Sequence, residues 1–305
     1  MAENPYESTV GAYERIVAAD LAAPSVKRPR VWTVFVAVVA ALAAAIAAQA
    51  AVAIVYVVWR VAGGVQLRDL APVLEDELST PGAFIGFLLA GQLAMGMAAV
   101  IPAWWSPQPI SRRLGLVRPR VPLVALPVIM IGALFPLAIG VALAELLALV
   151  VPPDPTAAAL YDKMTWPWAI PFILFVALAP GFMEEMLFRG YMQTRLLQRW
   201  PAWVAILVTS AIFGVFHVMP HAVVNAFVIG LWLGVLAWRT GSIWPSIACH
   251  AFINGSWNFW NVGERLWGFP ETPPVPLALA GGIMIVACFI LSIWLLWRNH
   301  DRVRV

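Results

Sequence analysis

Eight stretches of this chain are apolar for about 20 residues at a time, and that length limits what they can form. A hydrocarbon core of about 30 Å is crossed by about 20 helical residues. The stretches lie near residues 31–59, 82–104, 121–151, 167–198, 202–219, 222–238, 243–261 and 275–297. Composition agrees, with 62% of the 305 residues hydrophobic and 11% charged, against roughly a quarter charged in soluble domains. The expected fold is an all-α membrane protein of eight transmembrane helices. Its parts are an N-terminal segment over 1–30, a membrane domain over 31–298 and a tail over 299–305.

The basic residues set the orientation. Lys27, Arg28 and Arg30 precede the first stretch, whose apolar run is about twice the usual signal-peptide core, so it reads as an uncleaved span. With the N-terminus inside, 14 Lys and Arg fall on the inner side and four on the outer, leaving Arg189 within the membrane. Cytoplasmic loops collect such charge, so both termini are expected in the cytoplasm. The charges are too scattered for a nucleic-acid surface. Cys249 and Cys288 lie within spans, and no CxxC occurs, so neither a disulfide framework nor a zinc finger is suggested. Arg outnumbers Lys 17 to 2, and Ala and Val are abundant, which points to a high-GC prokaryotic source and a plasma-membrane location.

Against this background the segment GFMEEMLFRGYMQTRL, residues 181–196, is anomalous. An ionisable side chain at the bilayer centre costs roughly 2.5–3.5 kcal/mol on insertion scales. Glu185 and Arg189 are spaced i,i+4 and can pair, which leaves Glu184 without a local partner. Pro180 has no N–H, so the carbonyl of Val176 loses its helical donor. His250 and Asn254 share a helix face and aim two donors at one place, where an oxyanion could be held. Glu184 and His217 could bind and polarise a water, with the carboxylate as general base. Glu184, His250 and Asn254 fall near midplane, and His217 about 9 Å farther out. Glu145, alone in the third span, reads as a structural hydrogen-bond partner for a neighbouring helix, and His221 as a cap or interfacial residue.

Taken in order, Glu184-Glu185-x-x-x-Arg189, Phe213-x-x-x-His217 and His250-x-x-x-Asn254 resemble the three signature motifs of the CPBP intramembrane protease family. That family includes the type II CAAX prenyl proteases and bacterial homologues. The resemblance covers about residues 165–262. It implies an intramembrane endopeptidase in which Glu184 activates water and His217 helps hold it. His250 and Asn254 would stabilise the tetrahedral oxyanion, with Glu185, Arg189 and Phe213 in support. The substrate implied is a membrane-anchored or lipidated peptide in the bilayer, cut near its anchor at a site opening toward the cytoplasm. Glu184, His217 and His250 are also a credible zinc set, but no HExxH is present, and a metal-free mechanism without cofactor is the preferred expectation. The alternative is a non-proteolytic membrane protein: a proton-coupled transporter using Glu184 as relay, or a bacteriocin-immunity or resistance factor.

Overall fold

The computed structural model describes residues 30–105, 109–153 and 156–298. The leader, apart from Arg30, and the tail over 299–305 lie outside the described residues. All regular structure among the described residues is helical. The helices are α1 (Val31–Ala62), α2 (Leu70–Leu78), α3 (Pro81–Trp104), α4 (Ile110–Arg113), α5 (Leu126–Gly132), α6 (Leu134–Ala148) and α7 (Thr156–Asp162). There follow α8 (Trp166–Glu185), a π-helical segment (Met186–Gln193), α9 (Thr194–Leu196), α10 (Ala202–Val215), α11 (Pro220–Thr240), α12 (Trp244–Leu266) and α13 (Val275–Arg298).

Six of these stretches are long and apolar enough to cross a membrane: Val31–Ala62, Pro81–Trp104, Leu123–Ala148, Trp166–Leu196, Pro220–Thr240 and Val275–Arg298. The chain is a multi-pass membrane protein. The other two expected spans differ for physical reasons. α10 has 14 residues, about 21 Å at 1.5 Å per residue, short of the hydrocarbon thickness. α12 has 23 residues but carries His250, Asn254, Asn258, Asn261, Glu264 and Arg265, which dilute its apolarity. Each packs against a spanning helix: α12 lies on α8, and α10 lies on α11.

Local chemistry sets the helix boundaries. Proline occupies the first turn of α3, α8, α11 and α12, where its missing N–H has no helical acceptor to lose and its fixed φ suits the helix. α11 ends at Gly241, whose φ of 65° is left-handed, a conformation glycine adopts without a Cβ penalty. The expected third span is broken between α5 and α6 at Ala133. Pro136 follows and cannot donate to the carbonyl of Gly132. α10 stops at Val215 rather than running to 219. Beyond it, the Met219 N–H bonds to the His217 carbonyl at 2.6 Å, and Val218 between them has a φ of 61°. That i→i+2 bond with a positive central φ is a strained γ-turn, and it reverses the chain into α11.

Small residues let the central helices touch. A Cβ on Gly181 of α8 would lie 3.1–3.2 Å from the backbone and Cβ of Ala251 on α12, so the two backbones are in contact, the usual device where no hydrophobic force drives association in lipid. One end of the bundle is closed by Arg120 N–H to the Thr240 carbonyl and Ile243 N–H to the Gly115 carbonyl, both 2.9 Å. The connector there carries Arg112, Arg113, Arg118 and Arg120. The opposite end is acidic, with Glu75, Asp76, Asp162 and Glu264. It is tied by Lys163 to Asp76 at 2.7 Å and by Arg265 to the Asp162 carbonyl at 3.1 Å.

Candidate active site

Glu184 and Glu185 are the last two residues of α8, and the π-helical segment that continues it carries Arg189. All three are buried, Glu185 and Arg189 completely. The pairing expected from the i,i+4 spacing is formed: Arg189 Nη1 donates to Glu185 Oε1 at 2.6 Å. Desolvating such a pair costs several kcal/mol per ion unless further bonds satisfy it, and two elements supply them. Arg189 Nη2 donates to the Gly230 carbonyl at 3.0 Å, and its guanidinium carbon lies 4.4 Å from the centre of the Phe213 ring. Residue 230 must be small here, since a Cβ would come within 3.2 Å of Arg189 Nη2 and 3.1 Å of the Phe213 ring.

Glu185 Oε1 also takes His250 Nδ1–H from α12 at 3.0 Å. That bond fixes the ring so that Nε2 faces Glu184 Oε2, 3.9 Å away. Glu184 is held from elsewhere: the Gln92 side chain on α3 donates Nε2–H to Glu184 Oε1 at 2.8 Å. The second carboxylate oxygen, Oε2, is buried with no hydrogen-bond partner among the described residues. An unsatisfied buried carboxylate oxygen carries a desolvation penalty, and a water would relieve it.

His217 sits in the turn after α10. Its Nδ1–H reaches the Phe213 carbonyl at 3.0 Å, which leaves Nε2 as the free nitrogen, and the Phe213 ring stacks edge-on at 4.9 Å between centroids. Phe213 also meets the His250 ring at 5.8 Å, so one aromatic ring contacts Arg189 and both imidazoles. Glu184 and His217 line the same cavity of about 270 Å³, with Gln92 and Phe188 beside them and Ile46 and Val218 at its edge. The last two are 57% and 74% exposed, so the cavity reaches the lateral surface between α1 and the strained turn.

Asn254 is placed differently from His250. Its Nδ2 donates to the Val176 carbonyl at 3.3 Å, the acceptor that Pro180 leaves without a helical donor. The backbone carbonyl of Asn254 takes Asn258 Nδ2 at 2.8 Å, and Asn258 Oδ1 takes the Tyr161 hydroxyl at 2.7 Å. The amide is thus one member of a polar chain running toward the acidic end. Among the described residues, no group of three His, Cys, Asp or Glu is placed to hold a metal ion, and the set Glu184, His217 and His250 does not form one.

Residues 166–256 match the family model described as Type II CAAX prenyl endopeptidase Rce1-like. That segment of the chain is similar to the Rce1-like family. No curated protein and no solved structure matches it. The Rce1-like segment contains Glu184, Glu185, Arg189, Phe213, His217, His250 and Asn254. Gln92 and the α1 wall of the cavity lie outside it. Sequence reasoning passed over Gln92, although a single amide in the otherwise apolar α3 was a signal of the same kind as the carboxylates.

Proposed function

We propose that this Rce1-like protein is an intramembrane endopeptidase that hydrolyses a peptide bond near the membrane anchor of its substrate. The observation that carries the reading is the free Glu184 Oε2, which shares a cavity with His217 and faces His250 Nε2 at 3.9 Å. A water bound at Oε2 gives up a proton to that oxygen while its own oxygen attacks the scissile carbonyl carbon. The negative charge that develops on the carbonyl oxygen is stabilised by His250, which Glu185 orients, with Asn254 one turn along the same helix. Glu184 then passes the proton to the amide nitrogen, the carbonyl re-forms as the C–N bond breaks, and a carboxylic acid and an amine leave.

The same reading orients the chain. The basic end, with Arg112, Arg113, Arg118 and Arg120, faces the cytoplasm by the charge rule, and α10 together with the turn that follows it, and α12, complete eight passes through the membrane. The mechanism needs no metal. Purified full-length protein reconstituted in vesicles with membrane-anchored peptides tests the chemistry: Glu184→Ala and His217→Ala should each abolish cleavage while the fold is kept. Cleavage by Glu184→Ala at the wild-type rate would refute it. Stoichiometric zinc lost on His217→Ala would refute the metal-free form alone.

A further inference from the structure

Two side chains that the hydrolytic site does not use come together at the acidic end. Glu145 on α6 and His221 in the first turn of α11 line one cavity of about 680 Å³, together with Asn225, one turn along from His221 on the same face. From sequence, Glu145 reads as a structural partner and His221 as a cap. Among the described residues Glu145 has no hydrogen-bond or ion-pair partner, and His221 Nε2 and Asn225 Oδ1 are buried without partners. Asn225 reaches this position because residue 140 is glycine, where a Cβ would collide with its Oδ1.

The chemistry of these atoms selects the ligand. A carboxylate, an amide oxygen and an imidazole nitrogen in its Nδ1–H tautomer are three acceptors. Among the described residues, no Lys or Arg lines the cavity to satisfy them. The first turn of α11 favours negative charge, but Glu145 already supplies it, and a second anion would meet that carboxylate. A primary ammonium offers three N–H donors and no acceptor. Trp257 lines the same wall and can present an indole face to a cation, while Ala148 and Met219 give apolar surface to whatever carries it. The cavity is much larger than a bare ion needs.

We infer that this cavity binds a primary ammonium group carried on an apolar chain, held by Glu145, His221 and Asn225. The inference stands apart from the hydrolytic reading. It is tested on the full-length protein in amine-free maltoside micelles, with thermal unfolding and tryptophan fluorescence as readouts. Titration with n-octylammonium should raise the Tm with concentration, as a ligand of the folded state does. n-Octanol and octanoate should have little effect. Glu145→Gln and His221→Ala should each weaken octylammonium binding roughly tenfold. Lysophosphatidylethanolamine against lysophosphatidylcholine, whose headgroup has no N–H, separates the two sources. A response to the former alone assigns a lipid headgroup, and a response only to octylammonium assigns a free amine. Equal response to octanol, undiminished binding in both variants, or no response to either amine overturns the inference. So does a zinc-induced shift lost in the same variants, which would make the cavity a metal site.

Discussion

Gln92 and Glu184 are 92 positions apart in sequence and joined by a 2.8 Å hydrogen bond from Nε2 to Oε1. The bond uses one oxygen of the carboxylate and leaves the other, Oε2, toward His250. Gln92 is therefore a positioning residue for the proposed base, and it stands outside the Rce1-like segment. Hydrogen bonds to a charged group are worth about 1.5–3 kcal/mol. Gln92→Leu should lower kcat by roughly 10- to 100-fold with a much smaller change in KM, and the pH–rate profile should move with it. An unchanged profile in a folded variant would make Gln92 merely structural.

The Glu185–Arg189 pair is completely buried, so breaking it from one side leaves an unbalanced charge. Arg189→Leu should cost about 3–5 kcal/mol of stability, read by thermal unfolding in detergent. Adding Glu185→Gln should recover part of that loss. Cleavage should not return, because His250 would have lost the carboxylate that orients it.

Gly230 tolerates no side chain. Gly230→Ala places a methyl within 3.2 Å of Arg189 Nη2, the Phe213 ring and Ser210 Cβ. Overpacking of this kind costs about 1–3 kcal/mol, and the Arg189 bond to the Gly230 carbonyl should weaken as α11 moves away. Thermal unfolding of the variant against Gly281→Ala is the measurement. Gly281 has open space around it, so that control should be close to neutral.

Val218 holds a left-handed φ that a β-branched residue rarely adopts, and strain of this type costs on the order of 1–3 kcal/mol. Val218→Gly should keep or raise the Tm, since glycine relieves the strain, while cleavage falls several-fold because His217 is held less firmly. A loss of stability with unchanged cleavage would contradict this role for the turn.

Tyr161 lies on α7, outside the membrane-spanning helices, and burial pushes its phenol up to about 12 from 10.0. The neutral form is the folded form. Below pH 10 the folded and unfolded states are both neutral there and nothing is lost. As pH rises from 10 toward 12 the unfolded state ionises first, and up to about 2–3 kcal/mol of stability is lost. Alkaline unfolding should begin in that window, and Tyr161→Phe should remove this component from a stability–pH titration.

The residues that carry ionisable chemistry were legible because lipid makes them conspicuous. A carboxylate or guanidinium among apolar residues has to be paired or used, and helical spacing alone joined Glu185 to Arg189. Spacing says less about the partners of the amides. His250 and Asn254 share a face, yet Asn254 gives its N–H to the Val176 carbonyl, a competition decided by how closely Gly181 lets α12 approach α8. The extents of α10 and of the third span also departed from expectation, because the γ-turn at Val218 and the break before Pro136 depend on what the backbone can satisfy locally, and hydropathy does not register that.

The sequence by itself determined a helical membrane protein and the identity of its polar cluster, because burying unpaired charge or backbone in hydrocarbon is too costly to be accidental. Only the tertiary structure decided which oxygen of Glu184 is free, that Gln92 and Phe213 hold the cluster from other helices, and that Glu145, His221 and Asn225 share a second cavity. These are distances of a few ångströms between residues far apart in the chain. They are fixed by packing of small residues and by competition for hydrogen bonds, neither of which has a period that can be read along a sequence.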